Sequence, residues 1–431
     1  MIQVPDGWEL KLSSELCKGI ADGTHDTPQP SFFGFNLVTS KNLKDNKLDF
    51  EDCYLISEED YIAINKRSQV KQYDILFGMI GTIGNPVIIL NKNIDFAIKN
   101  VGLFRFNGDY ELAKWFYYYL SSEQFKNYLD FVLAGSSQKF VSLGMLRTLP
   151  ILIPKEKKEQ EKIAKILSTL DNAIESTNRI IEKEKNIKTA LMQELLTNGI
   201  DKNGQIRTPQ THTYKQSELG LIPDEWEVMS LIDVTDKNNR YSFTGGPFGS
   251  DLKSSDYVER GVRVIQLQNI GDGEFKNNDF VYTLEQKAQE LFSCQIFPNE
   301  IIMSKMGDPV GRACLIPNLE EKFIMCSDGI RIKVDLNKFD NYFIFLAINN
   351  TSFRNLIERV ALGSTRKRIG LIELKTLKLK LPEFEEQKQI AKILTTQDKR
   401  IEMEETNLSK FKELKKGLMN DLLSGVVRVK V

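Results

Sequence analysis

The chain contains the same design twice, at a separation of about 227 residues. The run from Gln160 through Ile163, Ala164 and Lys165 to Leu167 returns as Gln387 through Ile390, Ala391 and Lys392 to Leu394. Gly135-Ser136-Ser137-Gln138-Lys139 returns as Gly363-Ser364-Thr365-Arg366-Lys367, and Pro5-Asp6-Gly7-Trp8-Glu9 as Pro223-Asp224-Glu225-Trp226-Glu227. Further echoes pair Val38–Leu43 with Ile265–Ile270, and Asp74–Gly81 with Glu300–Gly307. A duplicated chain builds a pseudo-dimer with two similar surfaces, so its function must use both.

The offset divides the chain. Each half predicts a globular segment of mixed α/β character, at 1–154 and 215–382, followed by a helical segment, at 155–200 and 383–425. Short β-favouring runs such as Val87–Leu90, Gly102–Phe106 and Ile330–Val334 are bounded by Gly, Asn or Pro. Helices are expected at Leu112–Leu129 and Tyr342–Ile357. The glycines Gly78, Gly81 and Gly84 read as a turn at a strand end, since their spacing is not that of a dinucleotide loop. Residues 201–214 are polar and turn-rich, which predicts a linker.

The helical segments carry apolar stripes. Ile163, Leu167, Leu170, Ile174, Ile181, Leu191 and Leu195 recur mostly at 3–4 spacing amid Glu and Lys, and so do Ile390, Leu394, Ile401, Leu408, Leu418 and Leu422. Each stripe needs an apolar partner, and the other helix supplies one. Repeat symmetry makes the pair antiparallel. The expected class is therefore α+β: two tandem recognition domains joined by two long helices in an antiparallel coiled coil.

Catalytic patterns are absent from the sequence. Its two histidines, His25 and His212, form no HExxH pair, and no Walker A loop or GxSxG elbow occurs. Asn85-Pro86-Val87 and Asp308-Pro309-Val310 fail the Asp/Asn-Pro-Pro-aromatic loop of an adenine methyltransferase. Five scattered cysteines without a CxxC spacing suit a reducing cytoplasm and argue against zinc. No apolar run approaches the roughly 20 residues that span a bilayer. The expectation is a cytoplasmic protein with no catalytic residues, no metal and no membrane partner.

Surfaces remain. The formal net charge is −1, so a nucleic acid would have to be met by local basic patches. One such patch follows Ser364 and Thr365: Arg366, Lys367 and Arg368, side chains that fork onto guanine edges or grip phosphate. Its counterpart Ser136, Ser137, Gln138, Lys139 has less charge but keeps polar readers. A second surface is Gly245–Ser250, with Phe248 and Ser250, followed by Lys253. Its rough counterpart is Asp22–Pro28, with Thr24 and His25. Differences at matching positions are what two domains reading different sequences would show. On these residues alone, a modular protein-binding scaffold remains an alternative.

Taken in order and duplicated, these motifs resemble the DNA-specificity subunit of type I restriction-modification systems. The resemblance rests on Gly363–Ile369, on Leu381-Pro382 leading into Glu386–Leu394, on Asp22–Pro28, on Gly246–Ser250, and on Ser217–Pro223. It implies two target-recognition domains, each reading one half of a bipartite site in double-stranded DNA, with the helices setting the gap. It also implies partners: two methyltransferase subunits, and restriction subunits that cleave and translocate. S-adenosylmethionine, Mg and ATP would belong to those partners, leaving this chain without a cofactor. Phe140 stands where the second half has Arg368, so the two loops need not meet DNA alike.

Overall fold

The computed structural model describes residues 4–134, 140–363 and 366–430. The chain divides into two compact units, residues 1–180 with 404–431, and residues 181–403.

In the first unit a four-stranded sheet has the order Gly19–Asp22, Val101–Arg105, Ile75–Gly78, Gly84–Ile88, with antiparallel neighbours throughout. A second sheet sets Phe35–Val38 between Leu55–Ile56 and Phe96–Ile98, pairing parallel with the latter. Strand Trp8–Leu12 pairs antiparallel with Pro150–Pro154, which leads into the first long helix. The second unit repeats the plan: Phe243–Gly245, Gly329–Ile332, Ile301–Ser304 and Ala313–Leu315 in the same order. It too has a mixed sheet whose one parallel pair is Val262–Ile265 with Phe323–Met325.

The echo of Val38–Leu43 in Ile265–Ile270 is a structural one. Both segments end a strand in a single 3-10 turn, Ser40–Asn42 and Leu267–Asn269. The Asn42 and Asn269 carboxamides accept from Thr39 N and Gln266 N, both at 2.9 Å, closing the same turn. Gly78–Gly84 is the hairpin turn that its glycines suggest.

The helices expected at Leu112–Leu129 and Tyr342–Ile357 are each broken in two. Tyr110–Ser121 gives way to Glu123–Leu133 at Ser122, and Asn341–Asn349 gives way to Thr351–Val360 at Asn350. Ser122 and Asn350 adopt extended ψ, near 153° and 142°, and their side chains accept the Phe125 and Ser352 amides. A short polar side chain that caps a new helix outcompetes continuation of the old one.

The long helices span Lys157–Leu195 and Phe384–Leu423. They run antiparallel inside each unit. In the first unit Ile163 and Leu167 at the start of one helix share a core with Leu418 and Leu422 at the end of the other. In the second, Leu191 and Leu195 share a core with Ile390 and Leu394. These ends are packed deeper than a two-helix seam would place them, because the globular cores close over them: Ile163 lies with Trp8, Trp115 and Phe116, and Ile390 with Phe343 and Ile344. Full burial of such a side chain contributes about 1.5–3 kcal/mol. Ile181 and Ile401 are buried, while Leu170, Ile174 and Leu408 are half-buried.

Candidate nucleic-acid interface

In both units four chain segments meet at one end of the four-stranded sheet. In the second unit they follow Gly245, follow Ser304, precede Gly329, and return from Leu362 to Ile369. Strand pairing carries the geometry. Leu362 and Arg368 exchange backbone hydrogen bonds of 2.8 Å, and Ile369 N donates to Lys305 O at 2.9 Å. The Arg366–Arg368 segment is thereby docked on the loop that begins at Lys305, with Met306 bridged to Arg368.

Arg368 Nη2 donates to Asp328 Oδ1 at 3.0 Å, and Lys305 Nζ lies 4.0 Å from the same oxygen. The Arg368 side chain is still 57% exposed, so one edge of its guanidinium faces solvent. Lys367 pairs with Glu358, while Arg366 is exposed. Among the described residues, the basic run thus holds an exposed arginine, an oriented arginine and a lysine engaged by its own unit.

The Gly245–Ser250 turn sits against the same end because Gly246 can approach backbone closely. Gly246 N donates to Gly329 O at 2.8 Å, and a Cβ at this position would lie 1.7 Å from Cys326 O. The turn then presents Phe248, 81% exposed. Ser250 Oγ bonds Asp251 at 3.1 Å, and Lys253 N donates to Asp256 at 2.7 Å, starting a 3-10 turn.

The first unit uses the same frame with different side chains. Gly23 N donates to Val101 O at 2.9 Å, Thr24 bridges Lys99, and Phe140 bridges Ile80 as Arg368 bridges Met306. His25 is held on both sides: Nδ1 lies 2.8 Å from Asn100 Oδ1, and Nε2 lies 3.0 Å from Asp22 Oδ2. Arg67 Nη2 donates to Asp22 Oδ1 at 3.1 Å and to Gly23 O at 3.0 Å. The His25 ring is fixed in orientation yet 62% exposed. Thr24 Oγ1 accepts from Asp26 N. Ser136, Ser137, Gln138, Lys139, Ser364 and Thr365 lie outside the described residues.

Asn100 and Asp328 stand beside these loops without belonging to any sequence motif. They hold one position in the repeat, just before the strands that begin at Val101 and Gly329, and each orients an exposed polar side chain of its unit, His25 or Arg368. Ser40 belongs with them, since its Oγ donates to Asn100 O and accepts from Met79 N, both at 3.0 Å. The available signal was their place in the duplication, since neither belongs to a motif of its own.

No group of His, Cys, Asp and Glu able to hold a metal ion occurs among the described residues, and none of their helices is long and apolar enough to cross a membrane. Burial pushes the thiols of Cys314 and Cys326 up, to about 12 and about 11. Such thiols are inert toward nucleophilic chemistry.

A family model for the type I restriction modification DNA specificity domain matches residues 5–185 and again residues 223–413. The putative type I restriction enzyme MjaX specificity subunit of Methanocaldococcus jannaschii is 28% identical, over 99% of this chain and 95% of its own length. The MjaVIII specificity subunit of the same organism is 25% identical, over 100% and 95%. Among solved structures, the type I restriction-modification S subunit of M. genitalium aligns with a TM-score of 0.56 at 16% identity, covering 96% of both chains. A chain from a study of the assembly and conformational transition of the type I R-M system aligns with a TM-score of 0.58 at 15% identity, over 99% of this chain and all of that one. The family match covers both copies of the repeat and most of the chain between its ends, so this protein belongs to the type I restriction-modification DNA specificity family.

Proposed function

We propose that each unit reads one half of a bipartite site in double-stranded DNA, through the loop cluster at the end of its four-stranded sheet. The observation that carries this reading is the contrast at matched positions. Phe140 and Arg368 occupy one backbone position in the two units, as do His25 and Phe248. A frame kept constant while its outward side chains change is what reading two different half-sites requires. Arg366 and Arg368 are the base or phosphate contacts of one half-site. Thr24 and His25, together with Gln138 and Lys139, serve the other.

The chain itself performs no chemistry in this reading. Two methyltransferase subunits dock on it and bring S-adenosylmethionine, and restriction subunits bring ATP and Mg. The helices determine the gap between half-sites. Mapping methylated adenines in cells that carry the system tests the assignment. Replacing Arg366 and Arg368 with alanine is expected to relax one half of the motif and leave the other intact. Relaxation of both halves, or of neither, would overturn it. Removing residues 177–183 and 404–410 together deletes one heptad from each helix, about 10 Å of rise, and is expected to shorten the gap by roughly 3 base pairs.

A further inference from the structure

A cavity of about 310 Å³ opens inside the second unit. It lies between helix Thr351–Val360, strand Lys378–Leu381 and the turn of the hairpin formed by Tyr214–Ser217 and Gly220–Pro223. Its lining includes the apolar side chains Leu196, Phe343, Phe353 and Leu356. It also includes Arg359, Lys378 and Lys380 with a single acid, Glu218.

The cations are not all spoken for. Lys378 Nζ lies 3.5 Å from Glu218 Oε1. Arg359 and Lys380 have no carboxylate partner among the described residues. Burial holds the Lys380 ammonium below its ordinary range. An ammonium kept partly dry without a counter-charge is a cost that a bound anion would remove.

The fold does not need these charges. The first unit builds the same helix and strand with Phe131 in the place of Arg359, and with Pro150 and Leu152 in the places of Lys378 and Lys380. Ser122 and Asn350 cap the two helices at the same relative position, which fixes the alignment. A cationic lining present in one copy of a duplicated frame, and apolar in the other, is a property added to the scaffold.

We propose that this cavity binds a phosphate monoester on a nucleotide-sized organic body. Three cations and one acid leave an excess of two positive charges, and a phosphate monoester carries about two negative ones at neutral pH. Arg359 supplies a planar fork suited to two phosphate oxygens, and Lys380 a point charge. The half-buried Leu219 and Leu356 meet the apolar part of the ligand. The volume is near the lower end for ligand pockets, about 300 Å³, which suits a mononucleotide. The proposal stands independently of how the loop cluster reads DNA.

Calorimetric titration of the full chain with AMP, with adenosine and with inorganic phosphate tests it. AMP is expected to bind once per chain, adenosine not at all, and inorganic phosphate more weakly than AMP. Arg359→Met and Lys380→Met are each expected to weaken AMP binding roughly tenfold or more, the loss of one charge-assisted contact. Arg359 is exposed, so its variant keeps the wild-type unfolding temperature and separates lost binding from lost folding. Competition by a 5′-phosphorylated oligonucleotide, but not by its unphosphorylated form, would assign the monoester to a nucleic-acid end; no competition assigns it to a free nucleotide. No heat with AMP at millimolar concentration, or binding undiminished in the double variant, overturns the proposal.

Discussion

Asp171 of the first long helix and Lys415 of the second form an ion pair of 2.5 Å, and the repeat returns it with the partners exchanged, as Lys188 with Asp398 at 2.5 Å. Each aspartate also accepts a tyrosine hydroxyl from a helix of its own globular core, Tyr118 at 2.7 Å for Asp171 and Tyr342 for Asp398. Burial, and then the neighbouring carboxylate, push both phenols well above their ordinary range. One carboxylate therefore ties three elements together, the two long helices and a core helix, in each unit. The ion pairs are about a third exposed on the acid side, so each contributes about 1 kcal/mol or less. In a double-mutant cycle by urea denaturation, Asp171→Asn with Lys415→Met is expected to show a coupling of about 0.5–1 kcal/mol. Asp171→Asn and Asp398→Asn share no partner, and their costs are expected to add.

Where the long helices end, a buried ion pair closes the chain. Glu386 accepts from Arg207 at 2.6 and 3.0 Å, from Ile200 N at 2.9 Å and from Trp226 Nε1 at 3.3 Å. Its counterpart Glu159 holds Arg428 at 2.7 and 2.8 Å. The difference is solvent: the Arg207 side chain is 5% exposed, the Arg428 side chain 45%. Glu159 is itself buried, at 1% exposed, so the contrast lies in the arginine left behind: a stranded buried Arg207 costs about 3–5 kcal/mol, whereas Arg428 turns to water at a cost nearer ~1. Glu386→Gln is thus expected to cost several-fold more stability than Glu159→Gln, and equal costs would show that Arg207 reaches water. Gly199 is part of the same closure, at φ +64° with a hypothetical Cβ 2.1 Å from Glu386 Oε1. Gly199→Ala is expected to destabilise by about 1–3 kcal/mol.

Much of this was legible in the sequence because duplication supplies its own alignment. Gln160 and Gln387 stand in a quoted repeat, and both Nε2 groups bond the carbonyl of the proline that precedes the helix, Pro154 at 2.7 Å and Pro382 at 2.9 Å. The two-helix stripes were visible for the same reason. What periodicity hides is depth. Ile163 and Leu170 look alike on a helical wheel, yet Ile163 is covered by Trp8 and Trp115 from distant parts of the chain. The helix breaks at Ser122 and Asn350 were hidden because the apolar spacing continues across them. In the loops the basic run was legible, but its engagement was not: Glu358, which binds Lys367, lies in a helix that no motif connects to the loop.

Asp74 and Glu300 immediately precede the same strand in the two units and meet different fates. Glu300 is forked by Arg331 at 2.6 and 2.7 Å. Leu103 occupies the matching place in the first unit, so Asp74 is buried with a hydrogen bond from Lys71 N but no fork. Burial raises its carboxyl from 3.8 to about 6. The neutral form is favoured in the fold, so the contribution to stability is fully present below the ordinary carboxylate range and is lost as pH rises through about 6. Asp74→Asn keeps an acceptor for Lys71 N and removes the titration. The stability of wild type relative to this variant is expected to fall by on the order of 2 kcal/mol between pH 4 and pH 7, read from urea midpoints across that range. A difference independent of pH would place Asp74 in contact with water or a cation.

On the proposed reading, Arg366 and Arg368 hold DNA in two different ways. Arg368 is oriented by Asp328, as a group that reads a base edge must be, because a bidentate contact to guanine requires the plane of the guanidinium to be fixed in advance. Arg366 is exposed, as a phosphate clamp can be. With the methyltransferase partners present, Arg366→Ala is expected to weaken binding of matched and mismatched DNA alike and to reduce the salt slope by about 0.9. Arg368→Ala is expected to cost about 1–3 kcal/mol on the matched site alone, with the slope nearly unchanged. Asp328→Asn supplies the control. It leaves the charge of Arg368 in place and loosens its orientation, so discrimination between matched and mismatched half-sites is expected to drop while affinity for mismatched DNA holds or rises. If Asp328→Asn instead weakens both equally, Arg368 is a phosphate contact and the base-reading assignment fails.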